Sequence, residues 1–316
     1  MTASATTVRD LAGRGIYVGI TAWTEPTLIE TGFYPADATT PEERLRYYAT
    51  QFPITEVDST YYSPPSERVA KLWVERTPAD FVFDIKAFRL LTHHPTPHKS
   101  LWRDLRDELP AEVTAARNVY AEKLPPEMLD DALDRFIGAL HPLREAGKLG
   151  VVLFQFPQYF FPSRTSYAYM EWLADRLEDA GVTGAIEFRQ HSWMDGERIE
   201  RVLEFLRSHG LAYVSVDEPQ GFVSSVPPIA AATAGVAIVR FHGRNQDTWQ
   251  QKGVTAAERF AYDYTEHPGE LEEWVPRVSA LHEEGRPVHA LMNNCYSDYA
   301  VKSGQYLAQL LNAEPA

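Results

Sequence analysis

The chain has 316 residues, 44% of them hydrophobic and 23% charged, so it can bury a large core and reads as an ordinary globular protein. Its net charge of -14 argues against the broad basic field of a nucleic-acid binder. The one cysteine, Cys295, excludes an internal disulfide and a Cys-cluster zinc site.

Met1 to Arg14 is small and polar, has no apolar core of signal-peptide length, and is expected to be a flexible tail. Ile16–Ile20 is the first predicted strand and runs into Thr21 and Trp23. Thr40-Pro41-Glu42-Glu43 has the capping-box pattern and starts a helix that should last to about Phe52. Ile54–Asp58 is the second strand and opens onto Tyr61 and Tyr62; a helix with Val69, Leu72 and Trp73 on one face follows Pro64-Pro65. Phe81–Ile85 is the third strand, ending at Lys86. Residues 88–127 form a long insertion whose His93, His94 and His98 lack metal-motif spacing and read as a solvated loop.

Leu129–Leu143 returns to helical spacing, and Leu149–Phe156 is a fourth strand that stops at Gln155, Phe156 and Pro157. A helix over Ser163–Ala180 precedes the fifth strand, Ala185–Phe188, and Asp195 is placed to cap the next helix. Leu211–Val216 is strand six, ending at Asp217, and the Pro-, Ser- and Ala-rich stretch 218–235 lacks an amphipathic helix. Val236–Phe241 is strand seven, Gly269–Glu284 a helix, Val288–Met292 strand eight, and Tyr299–Leu311 the last helix.

Eight apolar strands, mostly alternating with helical patterns, predict an α/β fold, a (β/α)8 TIM barrel, as one domain over residues 15–316. No G-x-G-x-x-G or P-loop motif occurs, so the dinucleotide and P-loop readings are weak and the cofactor stays open. A barrel brings strand ends to one mouth, which would gather Thr21, Asp58, Lys86, Gln155, Glu187, Asp217, His242 and Asn293. No segment approaches the ~18 apolar residues of a membrane helix, so a cytoplasmic location is expected.

Val-Gly-Ile-Thr-Ala-Trp (18–23), Val-Asp-Ser-Thr-Tyr-Tyr (57–62), Phe-Val-Phe-Asp-Ile-Lys-Ala (81–87), Leu-Phe-Gln-Phe-Pro (153–157), Ile-Glu-Phe-Arg (186–189), Val-Arg-Phe-His-Gly-Arg (239–244) and Asn-Asn (293–294) together resemble the YecE-like domain-of-unknown-function family. That resemblance spans about Ile16 to Leu311 and implies a barrel of the triosephosphate-isomerase type with no agreed activity. It also implies kinship with xylose-isomerase-like barrels, apurinic endonucleases among them. The family's usual aromatic before the paired Asn is Met292 here, and Cys295 follows the pair.

Glu187 and Arg189 lie two apart, so on a strand they face one side, either as an ion pair closing the rim or as an acid–base residue beside an anion-binding guanidinium. Lys86 could bind an anion, form a Schiff base, or pair with Asp58 or Glu187. Asp58 and His242 are the further candidates for proton transfer. Arg240, Asn293, Asn294, Gln155, Thr21, Trp23 and Tyr61 are candidates for substrate binding. The expected ligand is a small anionic molecule, such as a phosphorylated or sugar-acid-like compound. A divalent metal is not favoured, because Lys86, Arg189 and Arg240 would compete for the same carboxylates. A nuclease-like protein and a non-catalytic ligand-binding barrel are the alternatives.

Overall fold

The computed structural model describes residues 5–282 and 285–313, and its eight strands close a barrel in sequence order, every neighbouring pair parallel. The strands are β1 (Ile16–Ile20), β2 (Ile54–Val57), β3 (Val82–Lys86), β4 (Leu149–Gln155), β5 (Gly184–Glu187), β6 (Ala212–Asp217), β7 (Ala237–Phe241) and β8 (Val288–Met292). β8 returns to β1 over five residue pairs, from Ile16↔Val288 to Ile20↔Met292. A parallel barrel is covered on both faces, which is why the strands read as apolar runs rather than alternating ones. The TIM-barrel expectation is therefore met.

The helix Pro41–Gln51 has the capping box its sequence predicts: the Glu43 amide donates to Thr40 Oγ1 at 3.2 Å, and the Thr40 amide donates to Glu43 Oε2 at 2.8 Å. Asp195 does not cap the helix Arg198–Ser208; it contributes only its carbonyl, to the Arg198 amide. The helix expected over Gly269–Glu284 divides into Pro268–Glu272 and Val275–His282, because Pro276 lacks the amide an unbroken helix needs; residues 283–284 lie outside the described ones.

The flexible tail expected before residue 15 is corrected in its described part. Ala5–Gly13 is a helix whose Val8 and Leu11, three apart, are fully buried; residues 1–4 lie outside the described ones. The insertion after β3 is also not a solvated loop. Leu90, Leu91, Leu101, Leu105, Val113 and Val119 are buried, and Thr96 pairs with Val119. His93 packs on Tyr169 at 4.3 Å between ring centroids, and His98 Nε2 lies 3.2 Å from the Val113 carbonyl. The buried leucines and valines outweigh the polar histidines.

Between β6 and β7 no helix forms, as the composition predicts. An extended chain covers β6 instead, held by side chains: the Tyr213 amide donates to Thr233 Oγ1 at 2.7 Å, and the Ala231 amide to Ser215 Oγ at 3.3 Å. In the lower lumen, His289 Nδ1 meets the Asp84 carboxylate at 2.9 Å, which also accepts the Val151 amide at 3.0 Å. Gly150 makes room for this pair, since a Cβ there would lie 2.2 Å from Asp84 Oδ1. No helix of the described residues is long and apolar enough to cross a membrane.

Candidate active site at the barrel mouth

Three strands each send two side chains, two residues apart, toward the lumen: Glu56 and Asp58 from β2, Glu187 and Arg189 from β5, Arg240 and His242 from β7. The spacing makes two tiers. In the lower tier Glu56, Glu187 and Arg240 are all fully sealed from solvent. Arg240 donates from Nε and Nη2 to the two oxygens of Glu56, both at 2.8 Å, and from Nη1 to Glu187 Oε2. This is a fork-on-carboxylate pair with a second carboxylate on the remaining arm.

Glu187 Oε1 collects three more donors: Gln155 Nε2 at 2.6 Å, His242 Nε2 at 3.0 Å and Arg189 Nη1 at 3.3 Å. Gln155 stands directly beside Glu187 in the β4–β5 register. Burial opposes ionisation of Glu187, but Arg240, His242 and Arg189 outweigh it and hold the carboxyl well below its ordinary range. Glu56 goes the other way: burial raises it against Arg240, and Asp58 adds to the rise.

His242 is fixed in one tautomer by a chain of side chains. Thr21 Oγ1 donates to Asn293 Oδ1 at 2.8 Å, and Asn293 Nδ2 donates to His242 Nδ1 at 2.8 Å. The Nε2 proton therefore points to Glu187. Burial pushes His242 down to about 3 against the pull of Glu187, so the ring is neutral near pH 7.

The upper tier is partly open. Lys86 Nζ lies 3.0 Å from Asp58 Oδ1, with side-chain exposures of 13% and 32%. Burial raises Asp58, but Lys86 and Arg240 bring it below its ordinary value. Lys86 and Arg89 stand over the Tyr61 ring at 5.4 and 5.2 Å from its centroid. Arg189, 15% exposed, lies over Trp249 at 4.6 Å, and its Nη1 is 3.3 Å from Glu218 Oε2. Trp23 is buried at the end of β1, and its indole Nε1 has no partner among the described residues.

Of the candidates read from the sequence, Thr21, Asp58, Lys86, Gln155, Glu187, Arg189, Arg240, His242 and Asn293 thus join one continuous arrangement. Asn294 does not: its Nδ2 donates to the Tyr262 carbonyl at 2.8 Å and to Ser303 Oγ at 3.0 Å, on the helix Tyr299–Ala313. Adjacent strand residues face opposite sides, so only one of the paired Asn could enter the lumen. Asp217 is likewise committed, to Trp274 Nε1 at 2.8 Å, to Arg244 and to the Tyr264 hydroxyl. Arg240 reaches the lumen, but all its observed bonds go to carboxylates below the mouth.

Four participants are not among the site candidates read from the sequence. Glu56 sits inside an apolar strand, and its position two before Asp58 was the available signal. Glu218 accepts the Val226 amide at 2.8 Å, and burial pushes it up to about 8 against Arg189. Arg89 and His94 come from the insertion; the His94 ring meets Tyr61 at 5.2 Å, and burial, then Lys86 and Arg89, push it down to about 3. Among the described residues, no group of three or more His, Cys, Asp and Glu side chains is arranged to hold a metal ion.

Comparison with known proteins agrees with the architecture. A family model described as "Protein of unknown function DUF72" matches residues 17–316. The UPF0759 protein YunF of Bacillus subtilis (strain 168) is 31% identical over 303 residues, covering 95% of each chain. The crystal structure of a DUF72 family protein from Thermotoga maritima MSB8 shares 29% identity, with a TM-score of 0.71 over 94% of this chain and 99% of that one. A DUF72 family protein from Enterococcus faecalis V583 gives a TM-score of 0.74 at 24% identity, over 95% and 97% of the two chains. With a family match over nearly its whole length and a relative of this identity, the chain belongs to the DUF72 family, to which its YecE-like motifs also point.

Proposed function

We propose that the barrel mouth is an enzyme active site for a small anionic substrate, of the phosphorylated or sugar-acid class. The observation that carries this is Arg189. Its guanidinium carbon stands over the Trp249 ring at 4.6 Å and its Nη1 lies 3.3 Å from both Glu187 and Glu218, while the side chain stays partly exposed. Lys86 adds a second partly exposed cation with one carboxylate partner. A planar fork and a point charge facing one mouth suit a phosphate or carboxylate.

In this reading Glu187 is the positioning group. Both its oxygens are occupied and it stays ionised, so it holds Arg189, Gln155 and His242 in place rather than exchanging protons with substrate. The acid–base role expected for it passes to Asp58, which is ionised, partly exposed and backed by Lys86. His242 and Asn293 transmit order from Thr21 to Glu187. The net charge of -14 gives the nucleic-acid alternative less support.

Binding is tested by calorimetry with inorganic phosphate, sugar phosphates and sugar acids on wild type, Arg189→Ala and Lys86→Ala. At least one anion should bind, and each substitution should weaken it by about tenfold, near 1.4 kcal/mol. If no anion binds wild type, the reading is wrong. Turnover of the bound compound, abolished in Asp58→Asn, separates an enzyme from a ligand-binding barrel.

A further inference from the structure

Among the described residues the large apolar side chains left exposed are Tyr62, Val69, Tyr159, Phe161 and Val223. They are not scattered. Tyr62 follows β2, Tyr159 and Phe161 follow β4, and Val223 follows β6, so four of the five stand beyond the C-terminal ends of strands, on the mouth side. Only Val69 lies on an outer helix, Glu67–Glu75. Isolated exposed apolar residues need no explanation, but a set gathered mostly on the face that carries the site does.

The aromatic members of this set adjoin the cations. Tyr62 meets Tyr61 at right angles, 4.9 Å between centroids, and Tyr61 carries Lys86 and Arg89 over its ring. The Tyr159 hydroxyl donates to the His93 carbonyl at 3.0 Å, and His94, the next residue, packs on Tyr61 at 5.2 Å. Arg89 also acts electrostatically on the Tyr159 hydroxyl. The faces of Tyr61 are engaged by cations and neighbouring rings, whereas Tyr62 is 59% and Tyr159 50% exposed. An aromatic shelf therefore begins where the Lys86–Arg89 charge ends.

We propose that the ligand carries a planar ring on its anionic group, as a nucleoside monophosphate does, with the anion at Lys86 and Arg189 and the ring stacked on Tyr62 and Tyr159. This rests on the small-anion reading of the mouth and narrows it. The charge of the rim argues for the anionic end, and the exposed tyrosine rings argue for the planar one. Stacking of a base on an aromatic side chain is worth ~1–3 kcal/mol, enough to dominate selectivity among phosphates.

The test is calorimetric titration of the full chain with adenosine 5′-monophosphate, ribose 5-phosphate, adenosine and inorganic phosphate. Adenosine 5′-monophosphate should bind about tenfold tighter than ribose 5-phosphate, matching ~1.4 kcal/mol. Tyr62→Ala/Tyr159→Ala should erase that difference while leaving inorganic phosphate binding unchanged, and Tyr62→Phe/Tyr159→Phe should keep it. Both positions are half-exposed or more, so the fold tolerates the changes. Equal binding of the two phosphates to wild type, or an advantage that survives the double alanine substitution, overturns the ring inference and leaves the anion reading standing. Loss of every phosphate response with adenosine still bound through Tyr62 and Tyr159 overturns the anion reading instead. If sedimentation velocity finds a dimer that the double alanine variant dissociates, a second copy covers the shelf and the ring inference fails.

Discussion

The two tiers of the barrel mouth are built from the same residue types at the same two-residue spacing, yet solvent gives them opposite characters. Below, Glu56, Arg240 and Glu187 are sealed and fully engaged with one another. Above, Lys86, Asp58 and Arg189 keep 13 to 32% of their side chains exposed. A buried ion cluster gains little over apolar packing, because desolvation offsets its attraction, but removing one member leaves the others buried without a partner. A partly exposed pair contributes little to stability and remains available to a ligand. The lower tier is a floor, and the upper tier is where recognition can occur.

The sharpest way to break this comparison is Arg240→Met, which strands two buried carboxylates. It should cost ~3–5 kcal/mol in urea unfolding, or prevent folding. Arg240→Lys should recover only part, since an ammonium cannot reproduce the fork. A loss under ~1 kcal/mol for Arg240→Met, the size expected of a surface pair, would erase the distinction between the tiers.

Next in size is the pH response of the sealed groups. His242 sits at about 3 in the folded chain against 6.5 when unfolded, so between those values the unfolded chain binds more protons and stability rises with pH. Glu218 sits at about 8 against 4.5, so between those values the folded chain binds more protons and stability falls as pH rises; Glu56 shifts the same way. The slopes oppose each other from 4.5 to 6.5, and a loss of Tm should emerge between 6.5 and 8. Glu218→Gln should shrink that alkaline loss. A wild-type Tm that is flat or rising over the same interval would contradict the assignment.

The smallest stability effects belong to the upper tier. Lys86→Ala and Arg189→Ala should each change unfolding free energy by no more than ~1 kcal/mol while weakening anion binding. A Tm collapse in either, comparable to Arg240→Met, would move that residue into the floor.

The barrel was legible because eight apolar runs could be counted, and the mouth because polar residues follow them. The same habit of reading concealed Glu56: a strand taken as uniformly apolar has no place for a charge in its middle, and only a partner 184 residues away explains it. Glu218 was hidden for a related reason, since the amide that donates to it, that of Val226, lies in a loop without periodicity. The insertion misled in the other direction. Its histidines suggested solvent, but leucines at irregular intervals bury against the barrel, and no short-range pattern announces that. Asn294 shows a further limit, because two identical neighbours on a strand end must face opposite ways and spacing alone did not say which served the lumen.

The extended chain over β6 carries one more consequence. β5 meets β6 through only two residue pairs, Ala185↔Ala212 and Ile186↔Tyr213, and the Tyr213 amide is tied to the Thr233 hydroxyl of that chain. On its far side β6 has no helix connecting it to β7. Native-state hydrogen exchange should therefore be faster along this seam than across β7 and β8, which share five pairs. Because β5 carries Glu187, each local opening would also loosen the anchor of Arg189. The breathing of one wall and the readiness of the mouth would then share a single clock.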